Sequence, residues 1–292
     1  MENNKEHSEE ILFKNLDHYL DIAYQDMVWR INHVAKIKAK ACPLLWVYGG
    51  MARLNPEDNL EKLVYGGFYT CTLGYMGLYE CVKYITGENH WEGKGKILAH
   101  KILDYLNNKN KSFGDKVNVS IALYATPAES LTDKFAKACL RDFGQVGDGT
   151  QRKYLTNGYH IPVFQEVDAF SKLTEEAQFS DKTQGGSISY IEVPNLSNNL
   201  DAMLEIIEHI GNNCLYAEIN SEVSQCENPN CLFMGYDFKK IVNGGEIKWQ
   251  CPKCGETDRV RTSWRICGYL TTLNNVKEGR AADVYDRVKH LN

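Results

Sequence analysis

The chain has 292 residues, enough to bury a sizeable core in one large domain or in one domain plus a small module. Its hydrophobic share of 43% and charged share of 24% are ordinary for a globular protein, and its net charge of −5 gives no support for a general electrostatic grip on nucleic acid, without excluding a local basic site. Residues 1–10 are polar and acidic and lack a basic stretch followed by an apolar run, and no run of about 18 apolar residues occurs, so neither a signal peptide nor a membrane span is expected.

In chain order, residues 9–37 carry Leu12, Leu16, Leu20, Ala23, Met27, Ile31 and Val34 every three to four positions, which predicts a long amphipathic helix. Its apolar face needs a partner, within this chain or in part on another. Pro43 to Tyr48 is a short apolar run ending in Gly49-Gly50, and a helix-like segment follows Asn55-Pro56-Glu57-Asp58. Phe68 to Tyr84 is apolar and punctuated by Gly74 and Gly77, which suggests close backbone approach. Residues 92–110 read as a helix, Val117 to Tyr124 as a buried strand, and Thr126-Pro127-Ala128-Glu129-Ser130 as the start of a helix reaching Phe143. The stretch 144–186 is turn-rich. Ser187 to Val193 alternates as a strand, Asn199 to Ile210 reads as a helix, and Leu215 to Ile219 as a further strand. Strands alternating with helices predict an α/β fold.

From about Ser221 the composition changes. Cys226 and Cys231 are separated by four residues, Cys251 and Cys254 by two, and the pairs lie 19 residues apart. Each pair suits a tight knuckle, with Pro252 and Gly255 fitting the second turn, and four thiolates complete a tetrahedron with metal bonds of about 2.3 Å. Zn2+ is redox-inert, so such a site is structural and its binding energy is folding energy. Ten cysteines without a secretion signal imply a reducing, cytoplasmic setting, which disfavours disulfides here. The nearby Lys239, Lys240, Lys248, Lys253, Arg259, Arg261 and Arg265 keep open an alternative, a non-enzymatic zinc ribbon that binds nucleic acid. Cys71, Cys81, Cys139 and Cys214 sit among apolar residues and read as small packing groups.

Near the C-terminus stands Arg265-Ile266-Cys267-Gly268-Tyr269-Leu270. A Cys-Gly-Tyr triplet alone fits an ordinary turn glycine. In this place, after four cysteines, the hexapeptide resembles the radical loop of the anaerobic (class III) ribonucleoside-triphosphate reductases. So do residues 48–54, residues 73–80, Thr126-Pro127-Ala128-Glu129-Ser130-Leu131 and Thr156-Asn157-Gly158-Tyr159-His160-Ile161-Pro162-Val163 resemble the corresponding segments of that family. The resemblance runs from about residue 10 to the end.

That resemblance implies reduction of ribonucleoside triphosphates to deoxyribonucleoside triphosphates, with a stable radical on Gly268. A glycyl Cα radical is planar and delocalised into both flanking amides, and a Cβ would obstruct both planarity and approach. It further implies a radical-SAM activase that uses S-adenosylmethionine and an iron–sulfur cluster, and a homodimeric catalytic assembly. The implied fold is the second half of a ten-stranded α/β barrel over residues 1–220, a four-cysteine zinc module over 221–258, and a radical loop with tail over 259–292. The cysteine that forms the thiyl radical lies upstream of the region resembled, and no cysteine here takes its place. The initiator Met1 therefore points first to a split gene with a separate N-terminal chain, then to a spare part for an oxygen-cleaved enzyme, then to a decayed fragment.

Thr126-Pro127-Ala128-Glu129-Ser130 follows a predicted strand, with Thr126 as N-cap and Pro127 at the first helical position. Free N–H groups there can bind phosphate, which makes Thr126, Ala128 and Ser130 the candidate substrate contacts. A merely well-capped helix is the competing reading, and Glu129 weighs against a polyphosphate directly overhead. His160 reads as a structural hydrogen-bonding residue.

Overall fold

A computed structural model describes residues 8–243, 246–265, 270–272 and 276–290. In chain order these form α1 (Ser8–Ala35), a 3-10 turn (Ala39–Ala41), α2 (Pro43–Trp46), α3 (Glu61–Val64), β1 (Thr70–Tyr75), α4 (Leu78–Thr86), α5 (Gly93–Val117) and β2 (Ser120–Ala125). There follow α6 (Glu129–Phe143), α7 (Gly147–Gln151), α8 (Ala169–Ser180), β3 (Ser189–Glu192), α9 (Leu200–Asn213) and β4 (Ala217–Asn220). The last part holds β5 (Val223–Cys226), β6 (Met234–Gly235), β7 (Lys239–Asn243), β8 (Glu246–Gln250), β9 (Val260–Arg265), β10 (Leu270–Thr272) and α10 (Glu278–Asp286). The chain groups into two compact units.

The first unit comprises Met1–Gly74, Tyr84–Tyr124 and Lys182–Gly186. The apolar spacing of α1 buries Leu20, Tyr24, Met27, Ile31 and Ala35 along one stripe. Tyr24 stacks on Phe113 of α5 with ring centroids 4.1 Å apart and donates to the buried Asn110 Oδ1 at 3.0 Å. Helix α5 continues to Val117 and ends in a left-handed Asn118, so the strand expected from Val117 begins only at Ser120. Asparagine enters that conformation at less cost than most residues other than glycine. Cys71 packs against the core of this unit.

The second unit comprises Tyr75–Lys83, Ala125–Asp181 and Ser187–Asn292. Strands β3 and β4 are parallel, joined through α9, with Glu192 opposite Asn220 at their ends. Leu173 of α8, Ile191 of β3 and Ile206 of α9 form a buried core, with Cys214 at its edge. Within the stretch read as turn-rich the structure places α8, capped by Asp168, whose carboxylate accepts from Ser171 N at 2.9 Å. The glycines before and after this helix obscured its apolar period. Beyond β4 the sheet order is β10-β9-β5-β6, and β7 pairs with β8. The architecture is mixed α/β. Among the described residues no helix is long and apolar enough to cross a membrane.

The expected cap of α6 is displaced. The helix begins at Glu129 with Ala128 as its N-cap, without a side-chain cap bond, so Thr126 and Pro127 both precede it. The reason lies outside the local sequence: Asn157 Oδ1 accepts from Ala128 N at 2.9 Å and takes the role assigned to the threonine hydroxyl.

Candidate functional site

The metal-ligand spacing is realised in three dimensions. The thiol sulfurs of Cys226, Cys231, Cys251 and Cys254 all lie within 4.8 Å of one another. The Cys226–Cys254 Sγ distance is 3.6 Å and the Cys231–Cys251 distance 3.8 Å. Four bonds of about 2.3 Å from one tetrahedral ion place sulfurs about 3.8 Å apart, so the donor set fits a metal of that kind. Local backbone bonds build both knuckles. Gly255 N donates to Cys251 O at 2.9 Å, and Gly255 has φ +76°, a conformation that favours glycine. Cys231 N donates to Asn228 O at 2.9 Å. Cys226 and Cys251 are buried beside Phe238, Trp249 and Trp264.

A second constellation joins three motif segments that the sequence keeps far apart, all within the second unit. Gly77 N donates to Thr156 O at 2.8 Å, and Met76 bridges Asn157. Glu80 Oε1 accepts from both Thr156 N and Thr156 Oγ1, at 2.8 and 2.7 Å. Burial raises the Glu80 carboxyl above its usual range, against the pull of the Thr156 hydrogen bonds. Asn157 in turn holds the Ala128 amide. Thus 76–80, 126–130 and 156–161 form one hydrogen-bonded cluster.

His160 follows in this cluster, with Nδ1 3.3 Å from Glu176 Oε2. Glu176 and Lys172, one turn apart on α8, form an ion pair with side-chain exposures of 0% and 4%. Ile161 N also donates to Glu176 Oε1 at 2.9 Å. Burial alone raises a carboxyl pKa, but here the Lys172 charge and then the His160 contact outweigh it, and Glu176 is held below the usual carboxylate range. Glu176 therefore stays ionised beside Lys172 and ties the 156–161 segment to α8. A cavity of about 50 Å³ lies alongside, lined by Pro127, Asn157, His160, Lys172, Arg287 and His290. The arrangement can place polar donors and acceptors around a small space. Lys172 and Glu176 escaped sequence reasoning. Their four-residue spacing was the one available signal, and it is common on helices.

Residues 266–269, and so Gly268 and Cys267, lie outside the described residues. Their flanks are described. Strands β9 and β10 are antiparallel, with Leu270 opposite Arg265 and Thr271 opposite Trp264. The Arg265 carbonyl accepts from Asn220 Nδ2 at 2.9 Å and from Arg287 Nη1 at 3.2 Å. Its guanidinium pairs with Glu218. No sequence pattern pointed to Asn220 or Arg287. Of the candidate substrate contacts, Thr126 and Ala128 belong to the segment that meets Asn157. Ser130 lies in the first turn of α6.

The chain matches the family of anaerobic ribonucleoside-triphosphate reductases over residues 1–290. It is 30% identical over 290 residues to the anaerobic ribonucleoside-triphosphate reductase of Escherichia coli (strain K12), covering 97% of this chain and 40% of that protein. To the enzyme of the same description from Enterobacteria phage T4 it is 29% identical over 276 residues, covering 93% of this chain and 43% of that one. The chain thus spans about two fifths of the length of these relatives. Among solved structures, an anaerobic ribonucleotide reductase superposes with TM-score 0.61 at 20% identity, over 83% of this chain and 36% of the other. The Thermotoga maritima anaerobic ribonucleotide reductase with MES in the active site gives 0.55 at 18% identity, over 70% and 32%. These last two speak to fold. Nothing in the similarities favours the nucleic-acid-binding alternative.

Proposed function

The chain belongs to the anaerobic ribonucleoside-triphosphate reductase family, and on that premise we propose that it is the radical-bearing C-terminal part of such a reductase, converting ribonucleoside triphosphates to deoxyribonucleoside triphosphates. Gly268 carries the stored radical, installed by an activase that uses S-adenosylmethionine and an iron–sulfur cluster. The upstream N-terminal part of the reductase supplies the thiyl cysteine, in a homodimeric cytoplasmic assembly. The observation that carries the reading is the family match through residue 290, which takes in Arg265 to Leu270 together with the four-thiol cluster.

Residues 1–220 then form the second half of a ten-stranded α/β barrel, 221–258 the metal module and 259–292 the radical loop and tail. The exposed Leu200, Leu204 and Ile207 of α9 support a covering partner for the half-barrel. The four cysteines hold a structural Zn2+, which supplies folding energy and no redox chemistry. Thr126, Ala128 and Ser130 face the substrate phosphates. The bond from Ala128 N to Asn157 supports a preset turn, although it occupies the Ala128 N–H, leaving later N–H groups of the first turn to meet an anion.

The test is anaerobic EPR of the chain assembled with the upstream part and treated with activase and S-adenosylmethionine. A doublet that collapses on glycine deuteration and vanishes in Gly268→Ala is expected. Silence from the full complex with a competent activase would defeat the reading.

A further inference from the structure

Immediately after α10 the chain turns back, and its final described residues close on β3. Val288 N donates to Val163 O at 2.9 Å and His290 N to Glu192 O at 2.8 Å. Glu192 N in turn donates to His290 Nδ1 at 2.8 Å. Directly before these anchors, Arg287 Nη1 lies 2.6 Å from Glu192 Oε1 and 3.2 Å from the carbonyl oxygen of Arg265. Its Nε lies 3.2 Å from Asp283 Oδ1. The Arg287–Glu192 pair is mostly buried, with exposures of 10% and 13%.

Arg265 is the last described residue before Gly268. Its carbonyl therefore receives two donors, Arg287 and Asn220, and both are oriented by one carboxylate, since Asn220 Nδ2 also lies 2.9 Å from Glu192 Oε1. Glu192 and Asn220 are opposite one another at the ends of the parallel pair β3–β4. The end of β9 is thus bound to a second sheet as well as to its own. A guanidinium suits this position because its rigid fork meets several acceptors in fixed directions, whereas a lysine at the same place is a single point charge on a flexible stem.

We propose that Arg287 is a positioning residue for Gly268, fixing the end of β9, three residues before the glycine in sequence, by clamping the Arg265 carbonyl to Glu192. The inference rests on the reading of Gly268 as the radical residue. Hydrogen transfer to or from a Cα requires contact distance, and a displacement of about 1 Å in such geometry costs on the order of a hundredfold in rate. A chain that must hold one unbranched Cα in place gains from a charged, buried, doubly bonded anchor three residues away. The C-terminal tail is then part of the radical machinery, because it delivers Arg287.

The test uses the assembled enzyme and compares wild type with Arg287→Ala, Arg287→Lys and Asn220→Ala. Hydrogen exchange over residues 266–272 is expected to accelerate at least about tenfold in Arg287→Ala, as loss of charge-assisted bonds implies. Exchange in α8 should stay at the wild-type rate. Arg287→Lys keeps a cation on Glu192 without the fork, so it should fold normally and fall between the two. Asn220→Ala removes the second donor and should also accelerate exchange over 266–272. The Gly268 EPR doublet should lose about tenfold in yield in Arg287→Ala, in step with the exchange, and recover partly in Arg287→Lys. Wild-type exchange over 266–272 in both Arg287 variants would overturn the proposal. So would faster exchange with unchanged radical yield and line shape. If exchange accelerates but even wild type gives no glycine-dependent signal, the clamp on Arg265 stands and the radical assignment of Gly268 falls.

Discussion

Gly158 lies so close to Ala125 that a Cβ built on it would come within 2.7 Å of the Ala125 Cβ and 3.1 Å of the Ala125 Cα. Its φ of +45° is left-handed as well. One glycine thus lets the 156–161 segment pass directly beside the turn that opens α6, where Asn157 takes hold of Ala128. Gly158→Ala is expected to destabilise the fold by about 2–4 kcal/mol, from the left-handed backbone and the clash together. Urea unfolding measures it, and a variant as stable as wild type would show that the two segments need not meet this closely.

The Lys172–Glu176 pair should respond asymmetrically to mutation. Removing one partner strands a buried charge, and Lys172→Met is expected to cost about 3–5 kcal/mol. A double replacement, Lys172→Met with Glu176→Gln, removes both charges while keeping an acceptor for Ile161 N, and should recover much of that loss. The measurement is a double-mutant cycle on unfolding free energies. Additive losses would mean the two side chains do not depend on each other.

His290 predicts a pH dependence of known sign. Burial, reinforced by the charge of Lys172, pushes its pKa down from 6.5 to about 4. Its Nδ1 accepts from Glu192 N, so the neutral ring carries its proton on Nε2. Between pH 6.5 and about 4 the unfolded chain binds a proton that the folded chain refuses. Stability is therefore whole above pH 6.5 and falls as pH drops, by up to about 3 kcal/mol at pH 4. His290→Asn keeps an acceptor for the Glu192 amide and cannot titrate. The difference between the two stability curves isolates the histidine, and parallel curves from pH 7 to pH 4 would refute the shift.

Metal analysis of the purified chain should find one zinc per four-cysteine cluster. Cys251→Ser, which removes a buried ligand, is expected to lower bound zinc by about tenfold or more and to unfold the module, given apparent zinc affinities of about 10–16 kcal/mol in structural sites. Trp249 and Trp264 sit edge to face with centroids 5.0 Å apart in the core that also holds Cys226 and Cys251. Their fluorescence should shift when a chelator strips the metal. Full retention of fluorescence and exchange protection after metal removal would argue that the module folds without an ion.

The Gly279 contact tests the docking of the tail. A Cβ there would meet Lys153 O at 2.2 Å and Asp133 Oδ1 at 2.5 Å, and Gly279 N donates to that same Asp133 oxygen at 2.9 Å. Gly279→Ala is expected to loosen α10 at a cost of about 1–3 kcal/mol, with faster amide exchange over 276–290 than elsewhere. Uniform exchange changes along the chain would place the effect outside the tail.

Much of this protein is legible along the chain. The two cysteine pairs predicted a four-thiol cluster because metal knuckles are local: each pair spans one tight turn, and only the meeting of two turns is tertiary. The stripe of α1 and the start of α9 at Asn199 were legible for the same reason, since period and caps are properties of neighbours in sequence. The α/β alternation and the motif segments around residues 77, 128, 158 and 268 were readable as residue strings. What the strings left open was who holds whom. Thr126 was the natural cap for α6 by local rules, and the structure gives that role to Asn157, 29 residues from the Ala128 amide it accepts from. Helix α8 and its buried ion pair were masked by surrounding glycines. The bond from Arg287 to the Arg265 carbonyl joins residues 22 apart in sequence, and the pair with Glu192 spans 95. Local chemistry dictates turns, caps and metal knuckles because their partners are adjacent, whereas a buried charge finds its counterion only after packing has excluded water and brought distant segments within hydrogen-bond reach.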